Sequence, residues 1–217
     1  KEIKKAFDDE LTLLGIKSEV GLVLTGCFGL CEKGPVIVVY PDETFYSHVT
    51  VSDVRTICEE HLLKGRPISR LMVNDPIAKT KIKQMSQLKF YAKQRRVALR
   101  NCGQINPLDI NEYIAKDGYL ALGKVLTEMT PESVIDEVIA SGLKGRGGGG
   151  FPTGMKWQFA RSSQSDIKYV ICNADEGDPG AFMDRAILEG DPHSVLEAMT
   201  ICGYAIGSKQ GSIYVRA

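Results

Sequence analysis

The sequence predicts an α/β chain of two units, from three observations. Apolar residues recur at helical spacing in several stretches, as in Ile3, Phe7, Leu11 and Leu14. Short apolar runs of strand length lie between those stretches, at residues 20–24, 36–40 and 169–172. A glycine-rich loop at 145–150 separates two helical patterns in the second half. These signals place a first unit at residues 1–75, a linker at 76–84 and a second unit at 85–217.

In the first unit the helical pattern stops at Gly15. A strand over 20–24 then runs into Thr25, Gly26 and Cys27. A second strand covers 36–40, a turn 41–44 and a third strand 45–51, after which Ser52 caps a helix that ends at Gly65. Residues 79–89 are rich in Lys, Gln and Ser, which suits an exposed connector or helix. The second unit opens with mixed signals as far as Gly123. A helix follows, with Thr130 as its cap, Pro131 at its first position, Val134, Ile135, Val138 and Ile139 on its buried face, and Gly142 as its stop. After the glycine loop come a helix over 153–161, a buried strand over 169–172, a helix from Asp191-Pro192 to Gly207, and a strand over 213–215.

With 217 residues the chain can bury a real core. Lys plus Arg and Asp plus Glu both number 27, so net charge points to neither nucleic acid nor an anionic membrane surface. The longest apolar run, near 36–40, is far too short to span a bilayer. No signal peptide is visible, the first residue is not methionine, and the last follows a strand-like run; the chain reads as part of a longer protein. Six cysteines without a secretory signal argue for a reduced, cytoplasmic compartment rather than a disulfide framework.

Five of the six residues from Gly145 to Gly150 are glycine. Little side-chain bulk lets backbone N–H groups close on an anion, and the helix that follows offers more of them. Arg146 and Lys156 add positive charge. Two common motifs fail here. Gly145, Gly147 and Gly150 satisfy G-x-G-x-x-G, but a dinucleotide fingerprint follows a strand and this loop follows a helix. Gly149 and Gly154 have P-loop separation, but Met155 stands where lysine is required. A flexible linker would be Gly/Ser-rich and would not run into Phe-Pro-Thr-Gly-Met-Lys-Trp.

Asn173, Asp175, Glu176 and Asp178 follow the 169–172 strand. They would repel a phosphate but can accept hydrogen bonds from sugar or ribityl hydroxyls and ring N–H groups, at the strand end where open α/β sheets bind ligands. A solvated turn or a divalent-metal site fits the same residues. Phe151 and Phe159 either pack in the core or clamp a flat base.

The run from Ser141 to Trp157 (SGLKGRGGGGFPTGMKW) and the run from Cys172 to Arg185 (CNADEGDPGAFMDR) resemble the NADH-binding flavoprotein subunit of respiratory complex I, NAD-linked hydrogenases and NAD-dependent formate dehydrogenases. The resemblance covers roughly residues 85–217 and implies the first part of a Rossmann-like flavoprotein domain that binds FMN and NAD(H). By it, Gly145, Arg146, Gly147, Lys156, Asn173, Asp175 and Glu176 hold FMN, Phe151 and Phe159 stack on the NADH adenine, and Asp178 lies near the nicotinamide half. The family often carries alanine at the position of Gly149 and glutamate at that of Asp178; the shorter Asp178 suits a bridging water. The resemblance implies 4Fe-4S ligands beyond residue 217.

Cys27 and Cys31 form C-x3-C, which is not the dithiol C-x-x-C, and two thiolates do not complete a cluster; two ordinary buried thiols fit equally. The segment TGCFGLCEKGP at 25–35 is nevertheless similar to the second half of the thioredoxin-like 2Fe-2S ferredoxin signature. That resemblance implies a 2Fe-2S cluster on Cys27 and Cys31 with the remaining ligands before residue 1. Cys58 reads as core, and Cys102, Cys172 and Cys202 show no ligand spacing. A thioredoxin-like ferredoxin ahead of the flavoprotein domain resembles the diaphorase subunit of multimeric, often electron-bifurcating hydrogenases. It implies an NADH:acceptor oxidoreductase that passes electrons between NAD(H), FMN and iron–sulfur clusters, with other iron–sulfur or hydrogenase subunits as partners and neither nucleic acid nor membrane insertion. The alternatives are a non-catalytic electron carrier or scaffold, a module that holds NAD without redox work, or the flavoprotein subunit of complex I or a formate dehydrogenase.

Overall fold

The computed structural model describes residues 1–26, 31–74, 80–88, 92–178 and 180–216. They fall into two compact units, Lys1–Val97 and Ala98–Ala217. Both mix helices with small sheets, as an α/β chain does.

The first unit is organised by helix α1 (Glu2–Leu13), whose Phe7 and Leu11 are buried against Tyr46, Val49, Val54, Ile57, Cys58 and Leu71. Strands β1 (Ile37–Val39) and β2 (Thr44–Tyr46) pair antiparallel, with Val38 opposite Phe45. Helix α2 (Val51–Thr56) continues into a π-helical turn, Ile57–Leu62, and Gly65 follows in a left-handed conformation. Strands β3 (Val73–Asn74) and β4 (Lys81–Ile82) form a second small antiparallel pair.

Three expectations change here. Residues 20–24 form no strand, and no described strand pairs with them, so Val23 and Leu24 are left about half exposed. The third strand is confined to β2, because Ser47 and Val49 donate their N–H groups to the carbonyls of Leu71, in a 3-10 turn, and Pro35 instead of a ladder. The cap of α2 is Thr50 rather than Ser52: the Asp53 carboxylate accepts from the Thr50 N–H at 2.8 Å and its hydroxyl at 2.7 Å.

Beneath this helix lies a buried polar chain. The Ile68 N–H donates to the Tyr46 hydroxyl at 2.9 Å, and that hydroxyl lies 2.9 Å from His61 Nδ1. His61 Nε2 is 3.7 Å from Asp42, which also pairs with Lys83 at 2.8 Å. Burial is the main cause that pulls the His61 pKa below its ordinary 6.5, against the pull of Asp42.

In the second unit helix α8 (Pro192–Ile206) touches nearly everything. Around it lie α4 (Leu120–Glu128), α5 (Pro131–Ala140), α6 (Thr153–Ser162), α7 (Met183–Gly190) and the parallel strands β5 (Tyr169–Ala174) and β6 (Gln210–Val215). A short helix, α3 (Ile110–Ile114), precedes them. Val125, Val134, Ile135 and Ala205 are buried together, with Met129, Trp157, Ile201 and Tyr204 packed around them.

Local signals set several ends. Thr130 Oγ1 accepts from the Ser133 N–H, Asp191 accepts from the Ser194 N–H, and Gly207 closes α8 in a left-handed conformation. β5 is covered on one face only: Val170, Cys172 and Ala174 turn inward while Tyr169 and Ile171 are more than half exposed. The sequence expectation of a fully buried strand is corrected accordingly.

The Tyr119 backbone is left-handed, with φ at 63°, and it opens α4 without a side-chain cap of its own. Glu197, reaching from α8 with 8% of its surface exposed, supplies the missing acceptor. Its carboxylate accepts from the Tyr119 and Leu122 N–H groups, both at 3.1 Å, and from the Tyr113 hydroxyl at 2.5 Å. Burial first, and then this carboxylate, raise the Tyr113 pKa.

Each network has a measurable consequence. Glu197→Ala strands a buried hydroxyl and two N–H groups, so unfolding by urea should show a loss of about 3 kcal/mol, with Glu197→Gln losing clearly less; equal stability of all three proteins would refute the capping role. Because the His61 pKa is lowered on folding, its neutral form is fully stabilising above 6.5, and that contribution is lost as pH falls below it. Stability measured from pH 7.5 to 5 should decline, and His61→Gln should flatten that slope.

Candidate functional site

The glycine loop is a closed clamp. Its stems pair where Lys144 faces Pro152 in an antiparallel bridge. The Gly145 N–H donates to the Phe151 carbonyl at 2.9 Å, and the Thr153 N–H to the Leu143 carbonyl at 2.9 Å. Behind the clamp, α5 and α6 cross closely: a Cβ on Gly154 would lie 2.5 Å from Ile139 Cγ1 and 2.6 Å from its backbone nitrogen. Only glycine permits that approach.

Within the loop the glycines divide by cause. Gly148 and Gly150 have left-handed backbones, with φ at 96° and 58°. Gly147 and Gly149 do not, and a Cβ on either would meet nothing within 4 Å. Neither backbone strain nor protein packing explains glycine at those two positions. The N–H groups of residues 146–150 donate to no backbone carbonyl among the described residues, and no side chain caps α6. Arg146 is exposed and lines, with Lys144 and Gly150, a cleft of about 540 Å³ at the loop.

Lys156 lies on α6, exposed. Its charge reaches Cys202 of α8, whose thiol burial nonetheless pushes up to about 11. Cys202 in turn lines one apolar hollow of about 370 Å³ with Cys172 and Val170 of β5. Phe151 and Phe159 are 49% and 59% exposed, and their ring centroids are 6.4 Å apart at a 49° tilt. They form an outward aromatic pair at the foot of the clamp.

The acidic residues stand together at the carboxyl end of β5, each in a different state. Asn173 Oδ1 accepts from the Asp175 N–H at 3.2 Å and fixes the first turn of the loop. Glu176 is taken up by the fold. Its Oε1 accepts from the N–H groups of Met183 at 2.6 Å and Asp184 at 3.2 Å, and its Oε2 from that of Arg185 at 3.2 Å. These three donors open α7, where Phe182 is left-handed and offers no cap. Partial burial alone would raise the Glu176 pKa, yet the three N–H groups hold it below the ordinary glutamate range. The Asp175 and Asp178 carboxylates are exposed and have no hydrogen bond or ion pair among the described residues. No group of three or more His, Cys, Asp or Glu among those residues is arranged to hold a metal ion.

β5 and β6 run parallel in register, with Ala174 opposite Val215, so their carboxyl ends emerge side by side. Arg216 leaves β6 there, and its guanidinium reaches Gly177. The sequence expectation stops at the strand and assigns Arg216 nothing; a basic residue directly after a strand is the available signal. Helix α7 escapes it too, because its cap lies upstream of its own first turn.

Of the cysteine pair, Cys27 lies outside the described residues, and Cys31 opens a short 3-10 turn, Cys31–Lys33. No described helix is long and apolar enough to cross a membrane.

Comparison with known proteins bears on the second unit. Residues 138–217 match the family model Complex1_51K, described as the Nuo51 FMN-binding domain. The chain is 63% identical over 125 residues to the NADP-reducing hydrogenase subunit HndC of Solidesulfovibrio fructosivorans, covering 58% of this chain and 25% of that protein. It is 47% identical over 120 residues to an NADH-quinone oxidoreductase subunit of Rhizobium meliloti (strain 1021), covering 55% of this chain and 28% of that protein. A solved NAD+-reducing NiFe hydrogenase in the air-oxidised state is similar at 20% identity and a TM-score of 0.45, covering 98% of this chain and 34% of that one. The chain spans about a quarter of the length of the curated relatives it matches. These findings support the family of NADH-binding flavoprotein subunits, through the FMN-binding domain matched in the second unit.

Proposed function

We propose that this chain is the FMN- and NAD(H)-binding part of a diaphorase subunit, an NADH:acceptor oxidoreductase within a multi-subunit redox complex such as an NAD-linked hydrogenase. The observation that carries the reading is the clamp at 145–150, where Gly147 is bare for no reason internal to the fold. Such a surface suits a ligand that approaches the backbone closely. The match of residues 138–217 to an FMN-binding domain names the ligand class.

On this reading Gly145 and Gly147 shape the cradle, its free N–H groups and the uncapped α6 take a phosphate, and Arg146 and Lys156 balance its charge. Asn173 and Asp175 accept from hydroxyl or ring N–H groups of the flavin. Glu176 holds α7 in place and keeps one lone pair for a ligand. Phe151 and Phe159 offer an exposed face to the adenine of NADH, and Asp178 faces its nicotinamide half through a water. Bound FMN supplies hydride uptake from NADH and release of single electrons to iron–sulfur clusters. The chain's own part is position and electrostatics.

The first unit extends the proposal. Residues 1–75 would form a thioredoxin-like 2Fe-2S domain with Cys27 and Cys31 among the ligands, residues 76–84 a linker, and residues 85–217 the flavoprotein domain. The similarity of 25–35 to the ferredoxin signature supports that reading. A 4Fe-4S centre would belong to the rest of the subunit.

Two experiments on the full-length protein test these assignments. Arg146→Ala combined with Lys156→Ala should lower FMN occupancy and cut NADH–ferricyanide activity roughly tenfold or more. If both survive, the clamp does not hold the flavin. Cys27→Ser and Cys31→Ser should each remove the 2Fe-2S signal from the visible and EPR spectra while leaving FMN bound; unchanged cluster content would rule out that ligand assignment.

A further inference from the structure

We infer that His61 is a proton-operated latch in the first unit, holding the bend at 67–69 closed through the Tyr46 hydroxyl. The inference goes beyond the flavoprotein reading and does not depend on it.

The hydrogen bonds fix where each proton sits. The Tyr46 hydroxyl accepts from the Ile68 N–H at 2.9 Å, which leaves its own hydrogen to give. His61 Nδ1 lies 2.9 Å from the same oxygen and is the acceptor, so the ring proton is on Nε2, facing Asp42 at 3.7 Å. The other tautomer would leave the Tyr46 hydrogen without an acceptor among the described residues and set a bare Nε2 lone pair against a carboxylate. Tyr46 is fully buried and His61 is 7% exposed, so water does not stand in for either partner.

Protonation reverses one contact. Nε2 already carries its hydrogen, so an added proton goes to Nδ1. The Tyr46 oxygen is then offered hydrogens by both Nδ1 and Ile68, and its own must turn away from the ring. The Ile68 bond is the one that yields, because Ser69 beside it is exposed and the bend can turn to water. On both sides the chain stays pinned. The Arg66 N–H donates to the Glu60 carbonyl at 2.8 Å, the Ser47 N–H donates to the Leu71 carbonyl at 2.9 Å, and Arg70 pairs with Asp53 at 2.5 Å. Opening is therefore local.

The surrounding groups keep the latch closed at neutral pH. Burial disfavours the imidazolium most. Asp42, from the turn after β1, favours it, but that carboxylate is already shared with Lys83 at 2.8 Å and the Thr44 hydroxyl at 2.6 Å. Lys83, after β4, repels it. Glu59 and Glu60 of the same π-helical turn pair with Arg55 and Lys64, and Glu10 of α1 bears on Cys58. Neutral His61 holds the bend above the ordinary 6.5, and the hold is lost as pH falls below it.

The test is hydrogen exchange of full-length protein at pH 7.5 and 5.5, corrected for intrinsic exchange and read by mass spectrometry on fragments that isolate the Ile68 amide. Acid should speed that amide roughly tenfold while the β1–β2 pair keeps its protection. His61→Gln retains an acceptor that does not titrate, and should hold the amide slow at both pH values. Tyr46→Phe removes the acceptor and should leave it fast at both. Lys83→Ala releases Asp42 to the ring and should move the opening to higher pH. A wild-type change below about twofold overturns the latch, as does the same acid response in His61→Gln. An equal loss of protection across the whole first unit also overturns it, since that marks general acid destabilisation.

Discussion

The second unit depends on one buried carboxylate. Glu197 projects from α8 and accepts from a hydroxyl and two backbone N–H groups of the 113–122 segment. Burying a carboxylate is costly, and it persists only where donors replace its water. Here those donors are the unpaired start of a helix, so one group settles two debts: its own desolvation and the orphan amides of α4. Because α8 also packs on α5, α6, α7 and both strands, this anchor fixes the body against which the clamp and the acidic loop are held.

The same device recurs at the carboxyl end of β5. Glu176 does for α7 what Glu197 does for α4, and both helices begin after a left-handed aromatic residue, Phe182 and Tyr119. A left-handed aromatic costs of order 1 kcal/mol or more, and a remote carboxylate compensates by completing the turn. The two caps differ in surroundings. Glu197 is sealed, whereas Glu176 is partly exposed and sits between two unpaired aspartates. One is architecture alone; the other makes architecture out of a residue placed among candidate ligands.

How much was legible follows from this distinction. Elements with local punctuation were readable: Thr130 and Pro131 before α5, Asp191 and Pro192 before α8, and Gly207 after it. The glycine loop was readable because its composition is extreme. Elements capped from a distance were not. α7 takes its cap from seven residues upstream, and α4 from a residue 75 positions downstream of its Leu122. The strand expected at 20–24 failed for the opposite reason: its apolar pattern is real, but strands require neighbours, which pattern alone cannot supply. Of the candidate site, composition and resemblance exposed the ligand-type residues. That Gly154 is glycine because of Ile139 is a matter of three-dimensional approach.

The close crossing of α5 and α6 carries one further consequence. The chain has a single tryptophan, Trp157, which follows Lys156 and packs against the core shared with α8. The indole is therefore a built-in fluorophore on the helix that closes the clamp. Its emission reads the docking of α6 from inside, without any label and without competition from another indole in this stretch of chain.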